Sequence, residues 1–223
     1  MRKYLALFAG MLLAVNTFAQ QDEMSRYQNE AGDFAALYQG KTESEFNPFL
    51  FTNHPFLDTD EYQAGDISYC GVVYRNVPMR YNALEQTLSV QTPQKGIKIT
   101  PEQNSIDWFR LRGDLYLHDE QNGGFCAILV QKKNLVLRRI VSVHVQNGVV
   151  IINDKYHNRF SITEKLVLDA NGKETTVKKL NDLCKLFPQK KKELKQFAKQ
   201  HNLSFKENTR TQSMKQCVEY LGK

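Results

Sequence analysis

From Asp66 to about Ile152, apolar residues recur at every second position: Ile67 and Tyr69, then Val77, Met79 and Tyr81, then Leu88 and Val90, then Ile97 and Ile99. A period of two sends successive side chains to opposite faces, so the stretch predicts strands with one buried face. The intervals Arg75-Asn76, Ala83 to Gln86 and Pro93 to Gly96 leave no room for crossover helices, and the strands are therefore expected to form an antiparallel meander. Trp108 to Leu111, Leu115 to Leu117, Phe125 to Val130 and Leu135 to Val145 continue the pattern. Asn147-Gly148 and Asn171-Gly172 have the composition of two-residue hairpin turns. So many hairpins predict a curved sheet or a partly closed barrel, because open edges invite association.

The period changes at both ends. Phe34, Leu37 and Tyr38 suggest a helix from Asn29 to Tyr38, stopped by Gly40. Phe46 to Leu57 holds two prolines and so many apolar side chains that this loop should pack on the body. Near the C-terminus three one-sided stripes predict short helices: Leu180, Leu183, Cys184 and Phe187; Leu194, Phe197 and Ala198; Met214, Cys217, Val218 and Leu221. Such short helices are marginal alone and must dock. The expected fold is α+β, with a helix and antiparallel body over 29–177 and docked helices over 178–223.

Ahead of these elements, Arg2 and Lys3 precede an apolar run from Tyr4 to Val15 that leads into Asn16-Thr17-Phe18-Ala19. This order reads as a secretory signal peptide over 1–19, cut after Ala19, with a polar and disordered stretch over 20–28. The apolar run falls short of the ~20 residues of a spanning helix, and no cysteine follows the cut to carry a lipid. The mature chain is expected to be exported, periplasmic or outer-membrane-associated, without a transmembrane span. The formal charge of +6 falls to +4 without Arg2 and Lys3, a mild surplus that argues against nucleic acid as a partner.

Cys70, Cys126, Cys184 and Cys217 lack the close spacing of a zinc site. An oxidising compartment would permit a disulfide, for which Cys184 and Cys217, on neighbouring predicted helices, are the candidates; buried free thiols are the plainer reading. No nucleophile elbow is present. His144 alternates with Val143 and Val145 and should be solvated. His54, between Asn53 and Pro55, could serve as a general base with Asp58, Asp60 or Glu61, or could simply bond backbone. Those three carboxylates could bind calcium or open a helix. One of Arg138 and Arg139 must face the apolar side of its strand, which raises a buried anion site as a hypothesis. Lys190, Lys191, Lys192, Lys195 and Lys199 form a helix face that is either solvated or set against an anionic surface. No metal and no cofactor is expected.

Asn53-His54-Pro55-Phe56-Leu57, Gly65 to Tyr69 with Gly71 and Tyr74, and Val77 to Asn82 resemble a family of exported Bacteroidetes envelope proteins with an Asn-His-Pro-aromatic motif. Phe187-Pro188 with Lys190 to Lys195, Asn202 to Lys206 and Val218 to Tyr220 are similar to that family's closing segment. The resemblance supplies no activity or ligand. Ten tyrosines and thirteen phenylalanines suggest a non-catalytic binding role toward an envelope protein or an amphiphile, with Asn53, His54, Phe56, Tyr69, Tyr74 and Tyr81 as contact residues. A secreted hydrolase using His54 and a structural subunit of an envelope assembly are the alternatives.

Overall fold

The computed structural model describes residues 26–27, 30–119 and 123–222. The alternating pattern becomes one antiparallel sheet of eleven strands: β1 (Lys41–Thr42), β2 (Gln63–Tyr69), β3 (Val72–Asn82), β4 (Thr87–Gln91), β5 (Lys98–Thr100), β6 (Ile106–Leu111), β7 (Asp114–His118), β8 (Phe125–Lys132), β9 (Leu135–Ile152), β10 (Lys155–Ala170) and β11 (Lys173–Thr176). Their spatial order is β1-β5-β4-β3-β2-β6-β7-β8-β9-β10-β11, and the sheet is open. The expected signal peptide and most of the polar stretch after it lie outside the described residues.

The sheet curls strongly. Tyr81 on β3 and Phe125 on β8 are four strand spacings apart, about 19 Å in a flat sheet. Their rings nevertheless lie 6.0 Å apart, and the Phe125 amide donates to the Tyr81 hydroxyl at 3.1 Å. One continuous core lines the concave side, from Ile67, Met79 and Phe109 to Leu137, Leu166 and Leu168. Among the described residues the other face carries a small apolar cluster of Cys126, Ile140 and Val167, with Ile128 packed against it.

Three predicted features move. Arg75-Asn76 is a bulge inside β3 rather than a turn: Asn76 takes φ +53, the register shifts between Gly65 and Ile67, and the Asn76 amide donates to Asp66 at 3.1 Å. Asn147-Gly148 is likewise no hairpin. Strand β9 runs through it, and the register with β10 shifts between His157 and Arg159. Gly148 spends its φ of +61 on that bulge, where its amide donates to the Asn158 side chain at 3.0 Å. The turn comes at Asn153-Asp154, both left-handed (φ +48 and +62). Asn171-Gly172 does form the expected hairpin, between β10 and β11. Of the expected helix over 29–38, Glu30 and Ala31 are α-helical and the remainder breaks into 3-10 turns, Gly32–Phe34 and Ala36–Tyr38, because Ala35 is extended (ψ 149). That break leaves Phe34 81% exposed while Leu37 is buried.

The C-terminal helices follow their stripes: α1 (Leu180–Leu186), α2 (Lys191–Gln200) and α3 (Glu207–Leu221). Asp182 starts α1 by accepting the Lys178 and Lys179 amides, each at 2.9 Å. Pro188 ends it. Leu183, Leu194, Met214, Cys217, Val218 and Leu221 join the core of the sheet, and α3 lies against β8 and β9.

Candidate interaction surface

The aromatic loop is a structural clasp. Asn53 pairs with the backbone of Phe160 on β10, donating to its carbonyl and accepting from its amide, both at 2.8 Å. Phe51 bridges Asn158, and the Thr52 amide donates to the Asn158 carbonyl at 3.0 Å. A few residues on, Phe56 bridges Asn82 at the end of β3. The loop thus spans from β10 to β3 and covers β10 where β11 does not reach. Its rings interlock: Phe51 stacks on Phe160 at 4.2 Å, and Phe46 sits within 6.0 Å of Phe51, Phe56 and Phe160.

This geometry withdraws most of the expected contact residues from a partner. Phe56, Tyr69, Tyr74 and Tyr81 are all buried. Tyr81 is the centre of a cluster with Phe109, Tyr116 and Phe125, and burial pushes its phenol above the usual range. Phe56 carries the Arg80 guanidinium 3.8 Å above its ring. Arg80 in turn grips the buried carboxylate of Glu43 at 3.1 and 2.5 Å, and Tyr62 donates to the same carboxylate at 2.8 Å. Burial pushes the Glu43 carboxyl up, but hydrogen bonds from Arg80, Ser89 and Tyr62 outweigh it and hold the group below the usual glutamate range.

His54 stacks on Phe56 at 6.1 Å, and its buried Nδ1 has no hydrogen-bond partner. The neighbouring carboxylates are not on that nitrogen. Asp58 lies 3.8 Å from Arg112, Asp60 offers its carbonyl to Arg80, and the Glu61 amide donates to the Thr59 hydroxyl. The segment is a bend before β2, not a helix start. Among the described residues no group of three His, Cys, Asp or Glu side chains could hold a metal.

Arg139 is the arginine on the core side, and its charge is matched: it meets Asp114 at 3.2 Å, the Tyr116 hydroxyl at 3.0 Å and Glu164 at 3.7 Å. A 370 Å³ cleft beside it is lined by Glu164, Glu207, Arg210 and Thr211 as well. Two cations there face two carboxylates, and the buried Nε of Arg139 has no hydrogen-bond partner. Arg138 faces outward and pairs with Glu174. Cys184 and Cys217 are not bridged; both are free, buried thiols, and burial together with Cys184 pushes the Cys217 thiol up to about 11. His144 is exposed, as are Lys191, Lys192, Lys195 and Lys199, while Lys190 donates to the Leu221 carbonyl at 3.3 Å.

The accessible apolar surface lies elsewhere. Beyond Val143 the hairpin of β9 and β10 leaves the body as a two-stranded ribbon, on which Val149, Ile151 (62% exposed), Ile152 and Tyr156 (73% exposed) point to solvent. Ile151 and Tyr156 are cross-strand partners. Phe49 (84% exposed) and Leu50 precede the clasp that grips the ribbon's base. The signal for this surface was the uncharged run Val149-Val150-Ile151-Ile152, which a hairpin placed at Asn147-Gly148 disguised as an ordinary core strand.

The chain matches no protein-family model, no curated protein and no solved structure in comparisons with each. Among the described residues no helix is long and apolar enough to cross a membrane.

Proposed function

We propose that this is an exported, non-catalytic protein of the bacterial envelope that binds a protein partner through the β9–β10 ribbon. The observation that carries the reading is the exposure of Val149, Ile151 and Tyr156 on one face of a projecting element, with Ile152 exposed on the other. Scattered apolar residues are normal on a protein surface, but contiguous ones mark contact sites. Carriage of an amphiphile in the concave sheet is less well supported, because Tyr81, Phe109, Tyr116 and Phe125 occupy that concavity as close-packed core and a guest would have to displace them. A hydrolase is less well supported too, since no carboxylate meets Nδ1 of His54.

The test is a photo-crosslinking side chain placed at Ile151 and, as control, at exposed Lys191, in cells that produce the protein. A discrete adduct from position 151 and none from 191 is expected. No adduct at 151, or the same adducts from both positions, overturns the proposal.

A further inference from the structure

The edges of this sheet are unequally guarded. Strand β1 is only two residues long, and β11 is a four-residue strand that opens with Lys173 and Glu174. Strand β10 is covered at Asn158 and Phe160 by the clasp and carries Lys155 and Arg159 near its open end. These are the usual devices against edge-to-edge pairing. Strand β9 is different. Its pairing with β8 ends at Arg139, and Gln86 then takes the Val141 carbonyl at 3.1 Å. From Ile140 to Asn153 the chain holds no Asp, Glu, Lys or Arg. Past the bulge, Val149 to Ile152 has β10 on one side only among the described residues. An uncharged, β-branched edge of this kind is a template for another strand.

A lipid bilayer does not suit such an edge, because unpaired backbone N–H and C=O groups are not tolerated in hydrocarbon. The occupant must supply a strand. We propose that it is the same edge of a second copy, paired antiparallel about a two-fold axis; the inference rests on the ribbon reading and names the ribbon's partner. With the axis at Val150, Val149 faces Ile151 of the second copy; Gly148, bulged and with its amide held by Asn158, lies outside the pairing. Apolar groups then meet apolar groups, and no like charges are opposed. A strand selected by complementary charge would find no charge to pair with on this edge. Two-fold pairing also consumes the edge in each copy, and because β10 is clasped and charged, assembly stops at the dimer instead of growing into a filament. The contact is small beside the ~800 Å² per partner of a typical stable interface, so the dimer should form with rising concentration.

Sedimentation velocity of the purified protein, with reductant present so that exposed Cys70 cannot crosslink copies, tests this. A shift from monomer toward dimer with concentration is expected. Val150→Lys sets lysine against lysine and should weaken the dimer at least tenfold, whereas Thr175→Lys on β11 should not. Ile151→Lys serves as a second variant should Val150→Lys fail to fold by circular dichroism. A monomer at every concentration, or dimers unchanged by both ribbon lysines, overturns self-pairing. If that monomer still crosslinks from position 151 to another protein, the ribbon reading survives and only the identity of its partner falls; absence of both signals overturns both.

Discussion

Replacing Asn53 with alanine removes one side chain but breaks both of its hydrogen bonds between the loop and β10. The amide of Asn53 acts as a piece of backbone, offering the Phe160 peptide both a donor and an acceptor at 2.8 Å. Each hydrogen bond contributes about 0.5–1.5 kcal/mol net, and a partner left unsatisfied costs about 1–3 kcal/mol. The site is part-buried, so water can replace some of what is lost, and the expected destabilisation is about 2 kcal/mol. With a urea slope of about 2 kcal/mol per molar, the unfolding midpoint followed by the fluorescence of Trp108 should fall by about 1 M. Asn53→Asp should fare no better, because it keeps the acceptor but sets a carboxylate oxygen against the Phe160 carbonyl. Native-state hydrogen exchange should show the Phe160 amide losing protection ahead of the rest of the sheet. A midpoint shift worth less than about 0.5 kcal/mol with the Phe160 amide still protected would refute the clasp argument.

Other consequences can be measured with equal directness. Tyr81→Phe leaves the buried Phe125 amide without its acceptor and should cost about 1–3 kcal/mol in urea unfolding; a neutral result would mean that water reaches that amide. Because the folded Glu43 carboxyl is depressed, its contribution is complete above the unfolded glutamate value, about 4.3, and fades as pH falls through the lower folded value. Glu43→Gln should therefore flatten the acid side of the stability profile, and an unchanged acid slope counts against the Arg80–Glu43 pair. Arg80→Ala, which leaves that carboxylate buried and unpaired, should cost about 3–5 kcal/mol at neutral pH, read by thermal unfolding. Under native conditions a thiol reagent should label Cys70 quickly and Cys126, Cys184 and Cys217 only on unfolding, given their burial; rapid labelling of all four would contradict the packing of α1 and α3.

Strand positions were legible because one buried face imposes a two-residue period, and the helices because Met214, Cys217, Val218 and Leu221 all had to reach the same core. Turn positions were less so. Asn-Gly favours positive φ whether the chain reverses, as at Asn171-Gly172, or only bulges, as at Asn147-Gly148. The pair that reverses β9, Asn153-Asp154, carried the weaker signal. The aromatic residues misled for a physical reason: composition counts rings but not the curvature that consumes them. A sheet bent until β3 meets β8 needs large side chains such as Tyr81 and Phe109 to fill its hollow. The ribbon was hidden by its own hydrophobicity, since Val149 to Ile152 reads like core until the partner strand is known to leave the body with it.

The clasp also sets an order of events. Asn53 and Phe160 are 107 residues apart, so a chain growing from its N-terminus at about 5–20 residues per second makes the loop about 5–20 s before the strand that receives it. Throughout that interval Phe46 and Phe51 have no Phe160 to close on. Contacts of such separation are slow to form, and the clasp closes on β10, which pairs β9 on its other side. The period of greatest exposure to misassembly therefore falls late in folding, when the sheet is nearly built and its last seam is still open.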